Sequence, residues 1–81
     1  MTREQIMKEL NDIFIANFDD EDIVLTDETT SADIEYWDSL EQINIIMACE
    51  KKWNLKFNIQ EVNKMKNVGE MVDMILEKVS E

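Results

Sequence analysis

The chain has 81 residues and a net charge of −11, from 19 acidic and 8 basic side chains, which argues against nucleic acid as a partner because phosphate-backbone binding draws on positive charge. With no histidine and a single cysteine, Cys49, it lacks the raw materials of a zinc cluster, a histidine-based catalytic triad or an internal disulfide. A chain of this length buries only about 60–65% of its unfolded surface, so one domain over residues 1–81 is expected, without a deep enzyme cleft. Its 44% apolar content argues against disorder, and the absence of proline with one glycine points to an all-α fold.

Met1-Thr2-Arg3-Glu4-Gln5 opens with charge and has no apolar core of the kind a signal peptide carries, and no run is long enough to span a membrane. A cytoplasmic location without membrane insertion is therefore expected. Ile6, Leu10, Ile13, Phe14 and Asn17 recur at spacings of three and four, which predicts a helix over residues 3–17 with one buried stripe. Met7 falls at the edge of that stripe, with Glu4, Lys8, Glu9 and Asp12 towards water. Thr2 and Gln5 supply a capping box at its start.

Helical periodicity lapses from Phe18 to Asp38, and the stretch from Asp19 to Glu41 carries ten acids and no base. A loop of this length in a small domain is usually functional or disordered. Ile23, Val24, Leu25 and Ile34 favour a packed loop. The run Asp19-Asp20-Glu21-Asp22 does not continue as a calcium loop, because Ile23, Val24 and Leu25 occupy the register where oxygen ligands and a glycine are needed.

The spacing then predicts a second helix over Ser39–Trp53. Asp38 can cap it and Glu41, three residues on, can reach back, so Asp38-Ser39-Leu40-Glu41 reads as another capping box. Ser39 falls at the first helical position, where free N–H groups and the positive end of the helix dipole favour a phosphate. Ile45, Ile46, Cys49 and Trp53 lie within one arc at 100° per residue and should face the core. Leu40, Ile43 and Met47 form a second apolar stripe, which we read as a docking surface with Glu41 and Asn44 beside it. Cys49 is expected to be a buried filler and Trp53 an anchor between helices. Asn54 or Leu55 ends the helix, with Lys51 and Lys52 suited to its negative end. Phe57 and Ile59 offer apolar anchors, Asn58 with Glu61 starts a short third helix, and Asn67 with Glu70 starts a fourth. In that last helix Val68, Met71, Val72, Ile75, Leu76 and Val79 sustain a 3.6-residue pattern. Gly69, in its first turn, suggests close packing.

Asp38-Ser39-Leu40, followed by Ile45-Ile46-Met47-Ala48-Cys49-Glu50 and later by Asn67-Val68-Gly69-Glu70, resembles the acyl carrier protein family, and the likeness extends over nearly the whole chain. The resemblance implies a four-helix bundle, three helices long and one short, with a long loop between the first two. It implies a carrier rather than an enzyme, with 4′-phosphopantetheine attached to Ser39, flanked by Asp38 and Leu40, by a separate phosphopantetheinyl transferase using coenzyme A and magnesium. Acyl groups would ride as thioesters on that arm in fatty-acid, polyketide or related biosynthesis. Docking would fall to Leu40, Glu41, Ile43, Asn44 and Met47, meeting basic patches on acyl-transferring, condensing or ligating enzymes, and the carrier would be a monomer. Core residues of the family also line a pocket for the acyl chain. Two departures bear on subtype: Glu35-Tyr36-Trp37 fills a spacer that commonly contains glycine, and Lys51 and Lys52 stand where many relatives are acidic. A peptidyl, aminoacyl or D-alanyl carrier is the neighbouring alternative. An acidic helical interaction domain without a prosthetic group is the alternative from another class.

Overall fold

The computed structural model describes residues 1–79, and within them the secondary structure is entirely helical: α1 (Arg3–Phe18), α2 (Ser39–Trp53), α3 (Ile59–Lys64) and α4 (Val68–Val79). The all-α architecture expected from composition and periodicity is the one observed. α1 packs against both α2 and α4. The core is built from Ile6, Leu10 and Phe14 of α1, Ile45, Ile46 and Cys49 of α2, and Val68, Met71, Val72 and Ile75 of α4. No helix among the described residues is long and apolar enough to cross a membrane.

Each helix start follows from local chemistry. At α1 the Gln5 N–H donates to Thr2 Oγ1 at 3.2 Å and the Thr2 N–H to Gln5 Oε1 at 2.9 Å, the full capping box. α3 repeats it with Asn58 and Glu61, at 2.8 and 2.9 Å. There the Asn58 backbone hydrogen bond, aided by Lys78 at 2.9 Å, holds the Glu61 carboxyl below the usual carboxylate range. At α4 the Glu70 N–H donates to Asn67 Oδ1 at 2.8 Å. α1 runs one residue further than expected, to Phe18, because Asp19 takes a left-handed conformation (φ 52°, ψ 47°) and closes the helix with its N–H on the Ile15 carbonyl. Glu9, expected to face water, is half-buried and pairs with Lys52 Nζ at 3.2 Å, joining α1 to the end of α2.

The loop between α1 and α2 has no regular structure of its own, yet it is fastened at several points. Ile23, Leu25 and Ile34 are buried as expected, whereas Val24 is 78% exposed and does not anchor it. An extended segment turns alternate side chains outward, so Val24 between two buried neighbours faces solvent. Asn11 serves the loop as a strand would: its Nδ2 donates to the Ile23 carbonyl at 3.1 Å and its Oδ1 accepts the Leu25 N–H at 2.7 Å. Further along, the Thr29 carbonyl accepts the Val68 N–H at 2.8 Å and the Asp27 carbonyl accepts the Gly69 N–H at 3.0 Å. Arg3 clamps the same region, reaching Asp27 at 2.7 Å, Asp73 at 2.8 Å and the Gly69 carbonyl at 3.1 Å. These contacts, Asp73 first, raise the Arg3 pKa further.

At Gly69 the loop lies close against the backbone of α4. A Cβ there would lie 2.9 Å from the Asp27 carbonyl oxygen and 3.0 Å from the Asp27 Cβ. Replacing a helical glycine by alanine ordinarily stabilises by about 1 kcal/mol. Here the sign should reverse: Gly69→Ala is expected to cost about 1–3 kcal/mol through overpacking against backbone. Chemical denaturation measures it, and a stabilised variant would contradict the close approach.

Candidate functional site at the start of helix α2

The site begins with the turn that brings the loop into α2. Tyr36 adopts φ 71°, a positive value at which glycine is at home and an aromatic residue is uncommon. Its ring is exposed, while Trp37, next in the chain, turns inward against Phe14, with ring centroids 5.0 Å apart and planes at 86°. Such edge-to-face contact suits the aromatic quadrupoles. The Trp37 indole N–H donates to Gln42 Oε1 at 2.7 Å, so the ring is fixed to α1 on one side and to the first turn of α2 on the other.

Asp38 caps α2 as expected, its Oδ1 accepting the Glu41 N–H at 2.9 Å. The expected capping box is only half made. Glu41 does not reach back, because its Oε1 accepts from Asn17 Nδ2 at 3.1 Å and Asn44 Nδ2 at 3.0 Å, while the Asp38 N–H is taken by the Tyr36 carbonyl at 3.1 Å. The carboxylate that would have completed the box therefore ties the first turn of α2 to α1. Ser39 is exposed on that first turn, at the positive end of the helix dipole. Beside it runs a groove of about 460 Å³ between the start of α2 and α3, with Trp37, Ile43, Val62, Met65 and Met71 among its lining residues.

The two faces of α2 separate as the spacing predicts. Ile45, Ile46 and Cys49 are buried, and Trp53 is half-buried against the core, its indole N–H enclosed without an acceptor among the described residues. Burial first, then the charge of Glu50, pushes the Cys49 thiol up to about 12, so it is inert at neutral pH. On the other stripe Leu40, Ile43 and Met47 are 65%, 52% and 59% exposed. Asn44 is exposed beside them, whereas Glu41 is half-buried and already engaged. Ile59, expected to be an anchor, is 69% exposed at the groove's edge. As the first residue of a six-residue helix it lies outside the face that packs, and Phe57, Val62 and Met65 make those contacts instead.

Gln42 went unmarked by sequence reasoning. A single polar residue in a helical pattern signals nothing by itself, and only the fold brings Trp37 to it. The resemblance implied a pocket, but the residues lining this groove were equally hidden, since α3 contributes to it from a segment too short to show periodicity.

No protein-family model matches the chain. Over 81 aligned residues it is 28% identical to an acyl carrier protein of Petrotoga mobilis, covering 99% of this chain and 94% of that one. It is also 28% identical to an acyl carrier protein of Cyanidium caldarium, covering 99% and 93%. A solution structure of the holo acyl carrier protein from Geobacter metallireducens matches with a TM-score of 0.88 at 41% identity, over 93% of this chain and 86% of that one. Identity at that level, sustained across nearly the whole of a shared helical fold, assigns the chain: it belongs to the acyl carrier protein family.

Proposed function

We propose that this chain carries acyl intermediates as thioesters on a 4′-phosphopantetheine arm attached to Ser39, in fatty-acid, polyketide or related biosynthesis. The observation that carries the reading is the exposed Ser39 hydroxyl on the first turn of α2, at the mouth of the groove, in a chain of the acyl carrier protein family. The residues fit the group. The N–H groups at the start of a helix favour a phosphate, and a groove of about 460 Å³ is of ligand-binding size. Ser39 Oγ would hold the arm, whose thiol supplies the thioester chemistry.

Ser39 acts here as a substrate. The chain has no histidine to activate it, and the neighbouring Asp38 carboxylate is occupied by the Glu41 N–H. The base that removes the Ser39 proton must come from the modifying enzyme, together with coenzyme A. Ten acids and no base from Asp19 to Glu41 give the carrier a field that steers it towards basic patches on that enzyme and on acyl-transferring partners. Leu40, Ile43 and Met47, with Asn44 beside them, provide the contact surface, while Glu41 contributes mainly by fixing α2 to α1.

The attachment is tested by intact-mass analysis after incubation with a phosphopantetheinyl transferase and coenzyme A. Wild type should gain one pantetheinyl adduct and Ser39→Ala none, with the substitution changing stability by no more than about 0.5 kcal/mol at an exposed site. An adduct persisting on the alanine variant would remove Ser39 from the assignment.

The two stripes of α2 give an independent test of the docking surface. Ile46→Ala should cost roughly 2–5 kcal/mol in stability, through lost burial and an incompletely collapsed cavity. Met47→Ala should leave stability nearly unchanged and slow transferase turnover at subsaturating carrier, because an exposed anchor acts in the complex. Equal destabilisation by the two substitutions would contradict the docking reading.

A further inference from the structure

The sign of the charge changes along α2. The chain that enters it, from Asp19 to Glu41, carries ten acids and no base, whereas the chain that leaves it, from Lys51 to Lys66, carries five bases and one acid. That acid, Glu61, is already paired with Lys78 at 2.9 Å. Between the two lies the exposed stripe of the helix: at about 100° per residue Leu40, Ile43, Asn44, Met47 and Lys51 fall within one arc about 100° wide, and all five are exposed. No carboxylate stands in that arc. Both acids of α2 are half-buried and engaged elsewhere, Glu41 with Asn17 and Asn44, and Glu50 with the Phe57 N–H at 2.9 Å. Lys52 pairs with Glu9 of α1, while Lys51 makes no ion pair among the described residues. The one charge on the outer face of α2, in a chain of net charge −11, is therefore positive.

We propose that the surface with which the modifying enzyme meets this carrier is bipolar: basic opposite the loop ahead of Ser39, apolar under Leu40, Ile43 and Met47, and acidic where a carboxylate faces Lys51. The inference rests on the reading of Ser39 as the attachment point and of this stripe as the contact face. From Ser39 to Lys51 the helix rises about 18 Å, at roughly 1.5 Å per residue, which exceeds the screening length of about 8 Å in physiological salt. The partner therefore meets the two charged ends as separate features. Met47 and Lys51, four residues apart, are neighbours on the helix surface, so the ammonium stands at the edge of the apolar contact. A charge in that position acts on the rate and orientation of encounter. An enzyme whose basic patch ran the full length of α2 would set a cation against Lys51, so the ammonium selects among otherwise similar basic partners. Lys51 also suits the negative end of the helix dipole, an effect read in stability rather than in the rate of encounter.

The test measures kcat/KM for pantetheinylation by the phosphopantetheinyl transferase of the organism that makes this chain, with coenzyme A, for wild type, Lys51→Gln, Lys51→Glu and Lys8→Glu. Each adduct is confirmed by mass, and the stability of each carrier is measured by denaturation. Lys51→Gln should lower kcat/KM about two- to fivefold, the size of one exposed pair, and Lys51→Glu should lower it further. The gap from wild type should close as salt rises, because the lost attraction is a screened one. Lys8 is exposed on a different helix, so Lys8→Glu makes the same change in net charge as Lys51→Glu, from −11 to −13, and should not slow the reaction. Lys51→Gln keeps an aliphatic stem and good helix propensity, and guards against a loss of folding in Lys51→Glu. Lys51→Glu modified as fast as wild type, or faster, would reveal a uniformly basic partner and overturn the bipolar surface while leaving Ser39 intact. Equal slowing by Lys8→Glu would overturn it too, by making net charge the cause. Failure of wild type to form any adduct on Ser39 would overturn the attachment reading and this inference with it.

Discussion

The first backbone N–H groups of α4 are answered by the loop, and the rest of the architecture depends on that exchange. A helix start leaves its initial N–H groups without partners inside the helix. Here Val68 donates to the Thr29 carbonyl and Gly69 to the Asp27 carbonyl, so α4 is capped by the segment that it holds in place. The approach is close enough that only a hydrogen fits where Gly69 would carry a Cβ. With Asn11 gripping the strand-like stretch at Ile23 and Leu25, and Arg3 pinning Asp27, the loop becomes part of the scaffold although it has no regular structure. It then delivers Asp38 to the start of α2 in a fixed orientation.

Charge and packing are divided along the chain. The loop carries nine of the 19 acids and no base, and their mutual repulsion opposes the compact state. Buried Ile23, Leu25 and Ile34 offset it, while the Arg3 pairs, exposed to solvent, add little beyond direction. The exposed Ser39 thus follows directly on an acid-rich loop. The same division appears within α2, where Ile45, Ile46 and Cys49 hold the helix to the bundle and Leu40, Ile43 and Met47 remain in solvent. One face of the helix is committed to stability and another is left free.

Much of this was legible in the sequence, and the exceptions share a cause. Helices with a sustained apolar period and capping residues at their starts, such as α1 and α4, stand where spacing puts them to within one residue. The place of Ser39 at the start of α2 was legible for the same reason, because an Asp-Ser-Leu start is a local pattern. Val24, Ile59 and the reach of Glu41 were misjudged because each depends on a neighbour distant in sequence or on which face a short segment presents. Glu41 shows this most clearly: its spacing from Asp38 is right for a capping box, but Asn17, 24 residues earlier, competes for the carboxylate. The bulky Glu35-Tyr36-Trp37 before the helix start was visible in the sequence, whereas its consequence was not. The positive φ falls on Tyr36, and Trp37 is driven inward onto Gln42 and Phe14.

The central claim is that the bundle is a rigid support presenting Ser39 and its groove, and backbone amide spectra recorded before and after loading with phosphopantetheine test it most directly. Chemical-shift changes should concentrate at Trp37, Ser39, Leu40, Gln42 and the groove wall of α3. The amides of Leu25, Val68 and Gly69, which fasten the loop, should keep their positions. Changes spread through those fastening amides, or no change around Ser39 in a protein whose mass shows the adduct, would contradict the account.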